Sequence, residues 1–78
     1  MPVFDDVTIR EMYQEYNIPC DSIVSDQKQL LIFADDYIHR TGHKVGLTHF
    51  AHHLLTLRKR GEAKGGLPRL RRIYNVRN

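Results

Sequence analysis

A single stretch, residues 47–60, constrains the fold of this chain more than any other part of the sequence. On a helix, at about 100° per residue, its side chains separate into two arcs. The apolar arc consists of Leu47, Phe50, Ala51, Leu54, Leu55 and Leu57. The polar arc has no acidic side chain and consists of Thr48, His49, His52, His53, Thr56, Lys59 and Arg60. Gly61 follows directly, as is typical of a helix end. The sequence therefore predicts an amphipathic helix that buries one side in a core.

Two helices upstream are predicted to supply that core. The first covers about residues 7–16, with Asp5 or Asp6 as its N-terminal cap. Asn17 and Pro19 are expected to end it. Its apolar side chains recur at helical spacing and are Ile9, Met12, Tyr13 and Tyr16.

The second upstream helix is predicted over about residues 26–41. Ser25 is its expected cap, and Gly42 is well placed to end it in the left-handed conformation. Its apolar stripe consists of Leu30, Phe33, Ala34, Tyr37 and Ile38. Ile32 lies on the opposite side, and we expect it to pack against the N-terminal segment or a partner subunit.

The residues beyond the third helix predict a short basic β-hairpin. Gly65 and Gly66 can supply the positive φ angles of a tight turn, and Pro68 fits an edge or a turn. Residues 70–76 have the composition of a strand. The turn is flanked by four bases, Lys64, Arg69, Arg71 and Arg72. We expect one domain over residues 1–78, mostly α-helical, with the hairpin beside the third helix.

Charge is divided unevenly along the chain. Residues 1–36 carry eight acidic and two basic side chains, a net charge of −6. Residues 37–78 carry ten basic and one acidic side chain, a net charge of +9. A half with this basic excess indicates a polyanionic partner. The lone Cys20 cannot form an internal disulfide, and the sequence shows neither a signal peptide nor a membrane span. We expect a soluble cytoplasmic protein.

The polar arc of residues 47–60 suits the major groove of DNA. An α-helix fits that groove, and a face without carboxylates avoids repulsion from the phosphates. Thr48, His49 and His52 are predicted to approach base edges. His53, Thr56, Lys59 and Arg60 complete the predicted DNA-binding face. Thr56 and Lys59 are expected to contact the DNA backbone, and Arg60 to contact phosphates or the minor groove. The hairpin bases Lys64, Arg69, Arg71 and Arg72 are expected at phosphates or in the minor groove.

This order of elements resembles the winged helix-turn-helix superfamily. Residues 47–61 resemble its recognition helix with the exit into the wing, and residues 65–72 are similar to a wing. The link over residues 42–46 is richer in glycine and longer than the tight turn of that superfamily. The resemblance implies a three-helix helix-turn-helix core with a C-terminal wing, and a small transcription regulator that binds double-stranded DNA. Specific binding by so small a module favours a homodimer.

Other functions remain as alternatives. Two histidine pairs with four-residue spacing, His39 with His43 and His49 with His53, could chelate a metal. No Cys or catalytic Glu accompanies them, so the sequence favours histidines that contact DNA or water. No cofactor, no small-molecule substrate and no enzymatic activity is expected. The competing hypotheses are an adaptor that docks an acidic partner protein and an RNA-binding module, although RNA proteins usually carry an aromatic stacking platform.

Overall fold

The computed structural model describes residues 4–70. Within them the chain forms four α-helices, one 3-10 turn and no β-strand. In chain order these are α1 (Asp6–Tyr16), α2 (Cys20–Ser25), α3 (Gln27–Thr41), α4 (Leu47–Arg60) and the 3-10 turn Glu62–Lys64. α3 contacts α1, α2 and α4, so it lies at the centre of the fold. The expectation of a mainly helical chain is confirmed for these residues.

The ends of α1 and α3 are set by residues next to them in the sequence. The Asp5 carboxylate accepts the backbone N–H of Thr8, and Asn17 ends α1 with a left-handed φ of 55°. Gly42 ends α3 with φ 74°, as predicted. The cap of α3 is Asp26, which accepts from the N–H of Lys28. The prediction of Ser25 as that cap is wrong, because Ser25 is the last residue of α2.

α2 is the helix that the sequence did not predict. It has six residues, too few to show a helical period, and it begins directly after Pro19. Proline was interpreted as a helix end, but its fixed φ and missing N–H also suit the start of a helix. Cys20 and Ile23 are buried on its inner side.

The core lies where the inner faces of the helices meet. Its largest fully buried side chains are Tyr37, Phe33, Phe50, Ile9, Met12, Ile23, Leu54 and Leu57. Phe50 of α4 lies between two aromatic rings of α3, with centroid distances of 5.1 Å to Tyr37 and 5.9 Å to Phe33. The predicted apolar face of α4 is thus confirmed, because Phe50, Leu54 and Leu57 have no exposed surface.

The predicted β-hairpin wing is wrong. Instead of pairing two strands, the glycines after α4 close the end of the helix. Gly66 donates its N–H to the carbonyl of Gly61 at 2.8 Å, and Leu67 donates to the carbonyl of Leu57 at 3.2 Å. Leu67 then enters the core, 7% exposed. Backbone groups that a hairpin would pair are used to cap α4, and residues 71–78 lie outside the described part.

Some apolar side chains face outward. Ile32 is 53% exposed, and its expected packing against the N-terminal segment or a partner subunit stays a prediction. Its neighbour Leu31 is 54% exposed. None of the helices within residues 4–70 has the length and apolar character needed to cross a membrane.

Candidate nucleic-acid interface

α4 presents most of its polar arc to solvent. The exposed members are Thr48, His49, His52, Thr56, Lys59 and Arg60, and we call these six residues the α4 face. They lie opposite the buried Phe50, Leu54 and Leu57. The Thr56 hydroxyl donates to the carbonyl of His52 at 3.0 Å, a bond within the helix. The structure therefore brings together six of the seven predicted site residues of this helix on one solvent-facing surface.

His53 is the member of the predicted arc that does not belong to this face. Its Nε2 lies 2.7 Å from the Asp6 carboxylate, and its side chain is 20% exposed. Its ring stacks on Phe4 with a centroid distance of 4.1 Å and an interplanar angle of 13°. His53 therefore joins the N-terminal segment to α4. Sequence spacing could not reveal this, because Asp6 is 47 positions away.

The N-terminal segment is held beside α4 by further contacts. The backbone N–H of Asp5 donates to the hydroxyl of Tyr37 at 2.7 Å. The ring of Phe4 also lies 6.2 Å from that of Phe50 and 6.4 Å from that of Tyr37. Hydrogen bonds from Thr8 lower the pKa of Asp5, with a small contribution from the charge of His43. Phe4 and two carboxylates thus lie at one edge of the α4 face.

A groove with a volume of about 270 Å³ opens on the α4 face, and we call it the Phe4–Val45 groove. Its apolar lining comes from Phe4 and Val45, both half-buried. Its polar lining consists of Lys44, His49, His52, His53 and Thr56, and Gly46 completes it. Phe4, Lys44 and Val45 were not predicted as site residues. For Lys44 and Val45, the sequence did offer a signal, since a cation and a valine stand in the link directly before α4.

Of the four predicted hairpin bases, the structure describes Lys64 and Arg69. Lys64 is exposed at the end of the 3-10 turn, and Arg69 is exposed in a groove shared with Glu11 and Glu15 of α1. Arg69 therefore lies among acidic side chains, away from the α4 face. Arg71 and Arg72 lie outside the described residues. Arg10 of α1 donates to the carbonyl of Gly65 at 3.0 Å, which holds this loop against α1.

A second polar cluster joins α1 to α3. Arg40 bonds Glu15 at 2.7 Å and Asp36 at 2.9 Å, and the Tyr16 hydroxyl donates to Asp36 at 2.7 Å. The bond from Tyr16, followed by that from Arg40, lowers the pKa of Asp36. Burial, followed by the bond to Asp36, raises the pKa of Tyr16 to about 12. The polar groups of these side chains are bonded to one another. We call Glu15, Tyr16, Asp36 and Arg40 the Arg40 cluster.

The remaining chemical candidates are a metal site and a reactive thiol. Within residues 4–70, no group of three or more His, Cys, Asp or Glu side chains is placed to hold a metal ion. Burial raises the pKa of the Cys20 thiol, and the neighbouring Asp21 adds to the shift. A raised pKa disfavours the nucleophilic thiolate.

Comparisons of this chain with protein-family models, with characterised proteins and with solved structures found no match.

Proposed function

We propose that this chain is a small DNA-binding protein, acting as a transcription regulator in the cytoplasm, that contacts the major groove of double-stranded DNA through the α4 face. The observation that carries the proposal is an exposed helix surface made of histidines, threonines and cations, with no acidic residue in the helix. Exposed helix surfaces usually mix both signs of charge. A surface of this composition suits the field around the phosphates.

The dimensions of α4 support this assignment. Its 14 residues span about 21 Å, and B-form DNA admits an α-helix into its major groove. Thr48 and His49 lie in the first turn, where recognition helices commonly reach base edges. Lys59 and Arg60 lie in the last turn and suit phosphate contacts.

The N-terminus of α4 adds a further contact of the right sign. α1 and α3 are capped by the carboxylates of Asp5 and Asp26, whereas the cap of α4 is Gly46, which has no side chain. The first N–H groups of α4 therefore have no carboxylate on them. Such N–H groups, together with the helix dipole, favour a phosphate oxygen.

The absence of a wing within residues 4–70 reduces the surface available to DNA. We expect a single copy to bind weakly and with a strong salt dependence, and two copies to be needed for a specific site. A homodimer is therefore part of the proposal.

Fluorescence anisotropy tests the proposal with labelled duplex DNA of about 20 base pairs, the matching single strand and an RNA duplex. Binding is measured at about 50 and about 200 mM salt. We expect the DNA duplex to bind best and to lose affinity steeply at the higher salt. Equal binding of all three probes would favour a nonspecific polyanion binder, preference for RNA would favour an RNA module, and no binding would favour the adaptor.

Paired variants locate the surface. Lys59→Ala with Arg60→Ala removes two cations from the α4 face, and we expect the slope of log affinity against log salt to flatten by about two. The matched control is Lys28→Ala with Arg58→Ala, which removes the same charge from outside the α4 face. Lys28 lies in α3, and Arg58, although in α4, is paired with Asp21 at 2.9 Å. Equal losses in the two double variants would show that net charge, not the α4 face, determines binding.

A further inference from the structure

We propose that the Phe4–Val45 groove is a subsite for the 5-methyl group of a thymine in the DNA major groove. The proposal rests on the proposed function, since it concerns the same α4 face. It assigns a role in sequence preference to Phe4 and Val45, two apolar residues outside the helix.

The position of the groove is the first step. His49, His52 and Thr56 belong both to the lining of the groove and to the α4 face. A helix that presents these side chains to base edges must bring the groove to the same edges. The groove is therefore part of the surface that would meet DNA.

The chemistry of the lining is the second step. Phe4 and Val45 give it apolar surface, while the histidines and Thr56 can donate or accept hydrogen bonds. Within residues 4–70 no carboxylate belongs to the lining and Lys44 supplies a cation, while the carboxylates of Asp5 and Asp6 lie at the edge of the groove, where Asp6 is bonded to His53. The matching ligand has an apolar group next to hydrogen-bonding groups and carries negative charge nearby.

Thymine is the base with that combination. In the major groove it presents its O4 acceptor beside its 5-methyl group, whereas guanine, adenine and cytosine present no methyl group there. Apolar contact with this methyl is an established way for proteins to distinguish thymine. A phosphate of the DNA backbone next to this thymine would be the partner of Lys44.

The groove is also preformed. Phe4 is held by the stacked ring of His53, by Phe50 and by Tyr37, and the adjacent Asp5 N–H is bonded to the Tyr37 hydroxyl. A side chain fixed in this way loses little conformational freedom on binding. The free energy of the methyl contact is therefore available to distinguish thymine from other bases, because little of it is lost in ordering the protein.

The test uses deoxyuridine, which keeps the base-pairing edge and O4 of thymine but lacks the methyl group. Duplexes are first enriched by the wild-type protein from a pool with a random core, and each thymine of the enriched site is then replaced singly by deoxyuridine. We expect at least one replacement to weaken binding about fourfold, the factor that one buried methyl group supplies.

Two protein variants connect that effect to the groove. Val45→Thr keeps the shape of the side chain and replaces a methyl by a hydroxyl, so it should remove the difference between thymine and deoxyuridine at that position. Val24→Thr makes the same change at a half-buried valine of α2 and should leave the difference intact. Thermal unfolding verifies that both variants are folded.

The outcomes separate the two proposals. An enriched site without thymine, indifference to every replacement, or a methyl effect that survives Val45→Thr would overturn the groove assignment while DNA binding stands. Failure of any duplex to bind would overturn the proposed function and the groove assignment together.

Discussion

The Arg40 cluster and the α4 face are both polar and both lie at the protein surface, but their side chains are used differently. In the Arg40 cluster, one guanidinium bonds two carboxylates, and one of those carboxylates also accepts from the Tyr16 hydroxyl. On the α4 face, the side chains of His49, His52 and Lys59 show no hydrogen bond or ion pair to another of the described residues.

The difference separates stability from recognition. A charged group that is bonded within the chain contributes to holding α1 against α3, and its charge is already compensated. A charged group without such a partner contributes little to the folded state and remains available to a ligand. We therefore expect changes in the Arg40 cluster to alter unfolding, and changes in the α4 face to alter binding.

His53 and His52, adjacent in α4, give the largest expected contrast. His53→Ala removes the stack on Phe4 and the bond to Asp6, so we expect a loss of about 1–2 kcal/mol in the free energy of unfolding. His52→Ala changes an exposed side chain and should stay within about 0.5 kcal/mol of the wild type. Urea unfolding followed by circular dichroism measures both.

The same two variants should reverse their order in DNA binding. His52→Ala is expected to alter the sequences enriched from a random duplex pool, because His52 lies on the α4 face. His53→Ala should act on binding mainly through the displacement of Phe4. If His52→Ala proved the more destabilising of the two, the division between structural and binding histidines would fail.

Tyr16→Phe gives a smaller effect. The ring can keep its edge contact with Phe33 at 5.0 Å, while the bond to Asp36 is lost. We expect a loss of about 0.5–1 kcal/mol near neutral pH and no change in affinity for duplex DNA. Because the pKa of Tyr16 is raised to about 12 in the folded state, wild-type stability should fall as pH rises above 10 towards 12. That decline should be shallower in Tyr16→Phe but should not vanish, because burial also raises the pKa of Tyr13 and of the Cys20 thiol. A decline of unchanged steepness in the variant would show that Tyr16 does not contribute to it.

Sequence reasoning predicted the parts of this molecule that depend on neighbouring residues. The bounds of α4 and the glycine end of α3 were correct, and the cap of α1 is Asp5, one of the two candidates, because each feature depends on residues within a few positions of one another. The exposure of the α4 face was predicted for the same reason. A helical period assigns an inner and an outer side without knowledge of the partner elements.

The parts that it missed depend on contacts between distant residues. His53 was assigned to the binding face from its angle on the helix, but its bond to Asp6 depends on where α1 begins in space. Gly65 and Gly66 have the composition of a hairpin turn, yet an added Cβ at Gly66 would lie 2.1 Å from the carbonyl oxygen of Leu57. Gly66 is needed for that close approach to α4, which no local pattern reveals.

Arg40→Ala should change stability only a little at neutral pH, since Arg40 is an exposed side chain and exposed ion pairs contribute little. Its informative effect is on the acid side. Hydrogen bonds from Arg40 lower the pKa of Glu15. The pKa of Asp36 is lowered by the hydrogen bond from Tyr16 and by that from Arg40. A carboxylate whose pKa is lowered in the folded state stabilises the protein at any pH above its ordinary pKa, which is 4.5 for Glu15 and 3.8 for Asp36. This stabilisation is lost as the pH falls through the lowered pKa of the folded state.

The urea concentration at the midpoint of wild-type unfolding should therefore decrease as the pH is lowered from 7 to about 3. In Arg40→Ala this decrease should be smaller. It should not be abolished, because the Tyr16 hydroxyl still bonds Asp36. Lys59→Ala is the matched control, as it removes one cation from the α4 face, and it should keep the wild-type dependence. If Lys59→Ala flattened the acid dependence as much as Arg40→Ala, net charge would explain both. The contrast between cations that are bonded within residues 4–70 and cations that have no such bond there would then have no basis.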